Sequence, residues 1–200
     1  MNDPLRISID TAHNELTEHF DAATAAVRNH LGRRESIQKA DAFLIHACRH
    51  LSAVCEVILP AARTELPGGE AVVDSYVDQA RHTEQAIVQT KRRLYGESHT
   101  ADLPWSQVWS DLGTEFRRLI ILEGDLVADL SIRLDPRTRD ALASRMGPVE
   151  AGSPTRPHPN SPHTGRLAHA SRLILARTDR LWDAAEGRIV SHPATDKLAS

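Results

Sequence analysis

The chain has 200 residues, of which 40% are hydrophobic, enough to build one packed domain with an appendage. Its 24 basic and 27 acidic side chains leave a formal net charge of -3, so nothing here argues for a nucleic-acid partner, which would need a basic patch. The N-terminus has no apolar stretch resembling a signal peptide, and no segment reads as an apolar run long enough to span a bilayer, so the expectation is a cytoplasmic protein with no membrane partner.

The first predicted helix runs from about Ser8 to Leu31. Its stripe of Leu16, Phe20, Ala23, Val27 and Leu31 has the three-four spacing of one buried face. The second spans about Ser36 to Arg63, with Pro60 near its end as a source of a kink. Cys48 and Cys55 lie seven residues apart on it. At 1.5 Å rise that is about 10 Å, too far for a disulfide. Two reduced thiols are expected. Leu66-Pro67-Gly68-Gly69 breaks the chain.

The third helix covers about Glu70 to Tyr95, with Val72, Val73, Tyr76, Ala80, Ile87 and Leu94 inward and Thr83 on the same stripe. The run Lys91-Arg92-Arg93 suits a helix C-terminus. The fourth helix begins at Pro104 and continues to about Leu134, until Asp135-Pro136 interrupts it. A short helical piece follows, about Arg137 to Arg145. No strand-like alternation is present. The fold class is therefore all-α, an up-down-up-down four-helix bundle over residues 1–147. Five prolines between Pro148 and Pro162, mixed with Gly, Ser and His, predict a flexible Pro/His-rich linker over 148–165. Residues 166–200 are expected to form a short C-terminal helix and tail, a candidate surface for a homodimer.

The chemistry lies in the eleven histidines and two acidic positions. His46 and His50 share a face of the second helix. His13 continues the first helix's stripe, and His82 lies close to the inner side of the third. Glu115 and Glu123 fall within the apolar stripe of the fourth, where a carboxylate is costly unless paired or bound to metal. Imidazole and carboxylate together suit iron, manganese or zinc, and bundles build such sites from facing helices. A structural or pH-sensitive polar core is the other reading of the same residues. Ala47 follows His46, which excludes the zinc-protease form of His-x-x-x-His. The chain holds no phosphate loop, dinucleotide fingerprint or nucleophile elbow.

Residues 8–134 resemble the hemerythrin-like, cation-binding domain family. TAHNELTEHF is similar to the family's first-helix element, with His13 matching its His. HLSAVCEVILPA resembles the second-helix element in His50 and Pro60, but carries Val54 where the family has Glu. QARHTEQAIVQTKRRL fits the third, with His82. RRLIILEGDLVADL keeps Glu123 and has Leu119 where the family has His. The Pro/His-rich extension and closing helix resemble those of actinobacterial members.

The resemblance implies a non-heme metal site of His13, His50, His82 and Glu123, with His46 and Glu115 as substitute ligands. It implies one iron or two, or none where Val54 and Leu119 have cost the site its metal. The implied ligand is a small oxidant, namely dioxygen, peroxide or nitric oxide, bound or sensed inside the bundle. Two alternatives stand beside it. One is a metal-free structural or protein-interaction module derived from the family. The other is a peroxide-consuming enzyme or a heme-binding bundle, although no Cys-x-x-Cys-His attachment motif is present.

Overall fold

A computed structural model describes residues 3–28, 33–95 and 104–155. Within them the chain is helical, without strands. The helices are α1 (Pro4–Arg28), α2 (Arg33–Ala53), α3 (Leu59–Glu65), α4 (Gly69–Tyr95), α5 (Trp105–Arg133) and α6 (Pro136–Gly152). A five-residue π-helical segment, Val54–Ile58, joins α2 to α3. The predicted helix at 166–186 and the expected dimer surface lie outside the described residues.

Helix α1 starts four residues earlier than its stripe suggested, because Asp3 caps it. The Asp3 carboxylate accepts from the backbone N–H groups of Leu5 and Arg6, at 3.0 and 3.3 Å. Leu5 and Ile9 then extend the buried face that continues through His13 and Leu16. Helix α1 packs on α2, α5 and α6, and α4 packs on α5 and α3. The helices thus form a bundle around one core.

The π segment has a local cause. Pro60 has no N–H to offer the preceding turn, and its ring crowds the carbonyl one turn back. The turn before it widens, and the Leu59 N–H reaches the carbonyl of Val54, five residues earlier. The widened turn rotates the helix face, so Val54, Cys55, Val57, Ile58 and Leu59 are all buried. Cys48 and Cys55 are buried and form no disulfide, as their spacing predicted. Glu56, within the same segment, is half-buried.

One expectation needs correction. By length and composition, the stretch Arg34–Glu65 is apolar enough to cross a membrane, the one such helix among the described residues. Its apolar window is 78% buried inside the protein. Its hydrophobicity therefore serves the core of the bundle.

Aromatic rings fill the bundle on the α1 side. Phe20 stacks on Trp109 at 5.0 Å between centroids and meets Phe43 edge-on at 5.2 Å. This packing requires Gly113. A Cβ there would lie 2.7 Å from Phe20 Cζ, and the ring is held from both sides. Gly113→Ala is expected to destabilise by about 1–3 kcal/mol through overpacking, outweighing the gain of about 0.5–1 kcal/mol from alanine in a helix. Urea unfolding measures the balance, and a stabilised variant would mean that Phe20 yields freely.

The segment after Leu134 differs most from expectation. Asp135 ends α5 and caps α6, accepting from the N–H groups of Arg137 and Thr138, with Pro136 in the first turn. Helix α6 then runs through Pro148 to Gly152, where the linker was expected to begin. Tertiary anchors override the proline. Met146 is buried, Val149 packs on the core, and α6 lies against α1, α2 and the π segment.

Candidate metal centre

Three buried side chains from three helices converge. His13 comes from α1, His50 from α2 and Glu123 from α5, and their ligating atoms all lie within 4.8 Å of one another. Exposures of 8%, 3% and 1% set them inside the core. Each occupies a stripe position: His13 between Ile9 and Leu16, His50 a turn before Val54, Glu123 between Leu119 and Leu126.

Glu123 is the hub. Its Oε2 accepts from His13 Nε2 at 2.6 Å and from His50 Nε2 at 2.9 Å. Its Oε1 accepts from the hydroxyl of Tyr76, a fully buried residue of α4. The second nitrogen of His50, Nδ1, donates to Glu150 Oε1 at 2.7 Å. A neutral imidazole has one N–H, whereas His50 has carboxylate acceptors at both nitrogens. The metal-free centre therefore holds His50 as an imidazolium.

The electrostatics agree. Burial pulls His50 down, but the charge of Glu123 and the hydrogen bonds to Glu123 and Glu150 outweigh it and raise the group to about 10. Burial pushes Glu123 up, yet the charge of His50 and the hydrogen bonds from His13 and His50 hold it well below the usual carboxylate range. Burial, then the charge of Glu123, pushes Tyr76 well above the ordinary phenol value. Tyr76 therefore stays protonated and keeps donating.

The remaining sequence-predicted ligands do not join. His82 is exposed on α4. The inner stripe of that helix is Val73, Tyr76, Ala80, Thr83, Ile87, Thr90 and Leu94, and His82 lies one residue, about 100°, off it. Tyr76 takes the place expected for a third-helix ligand. Glu115 is half-buried and engaged elsewhere, accepting from Gln79 Nε2 at 2.8 Å and Arg118 at 2.9 Å. It precedes Glu123 by two turns, about 12 Å. His46 is half-buried and stacks on His19, with ring centroids 4.4 Å apart. Burial, then the charges of His19 and Arg49, lower it to about 4, so it is neutral at physiological pH. Val54 and Leu119 are buried at 1% and 2%, apolar where the resemblance implies two further ligands.

Sequence reasoning missed two partners. Tyr76 was read as an apolar stripe member, although a buried phenol needs an acceptor. Glu150 lay in the expected linker, and only the fold-back of α6 brings it to His50.

No family model, no curated protein and no solved structure matches this chain. The site therefore carries the functional argument by itself.

The donor set fits a metal. A single ion with bonds of about 2.0–2.2 Å to His nitrogen and carboxylate oxygen touches donors up to about 4.2 Å apart. Of these donors, all within 4.8 Å of one another, the widest pair needs to close by about half an ångström, and the Glu123 Oε2 contacts at 2.6 and 2.9 Å need to open slightly. Two imidazoles and one carboxylate match the preference of iron, manganese or zinc.

Proposed function

We propose that this protein is a non-heme metal-binding bundle of hemerythrin-like type that holds one ion on His13 Nε2, His50 Nε2 and Glu123 Oε2, and binds or senses a small oxidant there. The observation that carries the reading is the convergence of three buried ligands from three helices. Bound iron would supply open coordination positions at which dioxygen, peroxide or nitric oxide can bind, as two-His-one-carboxylate sites do. The chain's own residues prepare the centre. Tyr76 occupies Glu123 Oε1 and so presents Oε2 to the imidazoles. Val54 and Leu119, each one turn from a ligand, add apolar side chains where a second ion would need donors, which supports one ion over two.

A second reading has its own support. The contacts at 2.6 and 2.9 Å are hydrogen-bond lengths, and both oxygens of Glu123 have partners. The cluster is thus satisfied without metal, as a polar core of a structural module would be.

Metal content decides between them. Untagged protein purified without chelator, then reconstituted with iron(II) under argon, is expected to hold about one ion per chain, and His50→Ala only background. Two ions per chain would overturn the single-ion assignment. No metal after reconstitution would leave the structural module. A Soret band would replace both with a heme reading.

A further inference from the structure

Glu150 has no role in the ligand set. It stands on the last turn of α6, a helix appended after the four long helical segments, and it is the partner of His50 Nδ1 at 2.7 Å. The chain beyond it is unusual. Ser153, Pro154 and Thr155 carry no large apolar side chain except the proline ring, yet all three are buried. Side-chain and backbone bonds hold them in place. Ser153 Oγ donates to the carbonyl of Val149 at 2.8 Å, and Lys91 Nζ of α4 donates to the carbonyl of Thr155 at 3.3 Å. The stretch from Glu150 to Thr155 thus ties α6 to α2 at one end and to α4 at the other.

Resting on the metal reading above, we propose that Glu150 is the positioning carboxylate of the metal centre, and that metal occupancy and docking of the 150–155 strap are coupled through it. An imidazole binds metal through one nitrogen and presents an N–H at the other. A carboxylate accepting that N–H fixes both tautomer and ring orientation and makes the ligating nitrogen a better donor. Here Glu150 holds Nδ1–H, so Nε2 points at Glu123 and His13, and its lone pair is aimed there once metal displaces its proton. The geometry selects Nε2 as the donor atom of His50. Coupling follows from the shared side chain. A docked strap keeps Glu150 on Nδ1 and so keeps Nε2 aimed at the metal position, and by reciprocity bound metal, which fixes the His50 ring, favours the docked strap.

Cobalt(II) titration of the full-length protein tests this, read by its visible ligand-field bands, on wild type, Glu150→Gln, Glu150→Ala and His50→Ala. Gln keeps an acceptor for Nδ1–H and loses the charge, whereas Ala loses both. The expected order of affinity is wild type, then Gln, then Ala, with Ala weaker by about 10–100-fold and the bands unmoved, since the ligands are unchanged. Amide exchange at residues 153 and 155 should slow on cobalt binding in wild type but not in Glu150→Ala. Equal affinity in wild type and Glu150→Ala, with His50→Ala inactive, would overturn the positioning role and leave the metal reading intact. Unchanged amide exchange would overturn the coupling. No cobalt uptake by wild type would remove the metal reading and this proposal with it.

Discussion

Glu123→Ala is expected to abolish stoichiometric metal binding and to destabilise the metal-free protein by about 3–5 kcal/mol, the cost of breaking a buried ion pair from one side. The magnitude follows from what is stranded. The carboxylate accepts three hydrogen bonds, from His13, His50 and Tyr76. Without it the Tyr76 hydroxyl, at 0% exposure, faces a cavity, and His50 loses the charge that keeps its Nε2 protonated. Glu123→Gln should cost less, because the amide oxygen still accepts and the volume is kept, but it too should lose metal. Urea unfolding under reducing conditions gives the stabilities. A loss below about 1 kcal/mol for the alanine variant would be the size of an ordinary surface pair, and would mean that Glu123 is not the hub of a buried network.

The reading of the sequence succeeded where a residue's position on a three-four stripe decides its fate, and failed one residue to the side. His13 and Glu123 were placed inward by such stripes, and the structure puts them there. His82 and Glu115 seemed equally inward, because each stands three or four residues from an apolar neighbour. On α4, however, the stripe passes through Thr83, and on α5 through Phe116, leaving His82 and Glu115 about 100° away. A stripe of 3.5-residue mean spacing cannot be told from its flank when both carry small or polar residues. The π segment was legible only as a proline near the helix end, since its register depends on which carbonyl Leu59 finds. Glu150 had no local signature. Pro148 and Pro154 argue against regular structure around it, and its helix persists because Met146 and Val149 have a core to dock on.

The pH responses of the empty and loaded centre should run in opposite directions. His50 rises from 6.5 when unfolded to about 10 when folded. A raised group binds its proton more tightly in the native state, so its contribution is complete below 6.5 and fades as pH climbs towards about 10. Glu123 is shifted down from 4.5, so its contribution is complete above 4.5 and fades on acidification. The pair therefore stabilises the metal-free protein most between 4.5 and 6.5, and stability should fall steadily on the alkaline side. Metal binding reverses this, because coordination through Nε2 must displace the proton that Glu123 accepts there. Affinity should rise with pH by about tenfold per unit until His50 titrates. Urea unfolding of the metal-free protein and cobalt(II) titration across the same alkaline window measure the two slopes. Metal-free stability that stays flat above 6.5 would mean a neutral His50 and a centre built without the imidazolium. Affinity independent of pH would mean that Nε2 is not the donor. Opposed slopes require one nitrogen to serve as ion-pair donor in the empty protein and as ligand in the loaded one, the exchange that the contacts of His50 and Glu123 are arranged to permit.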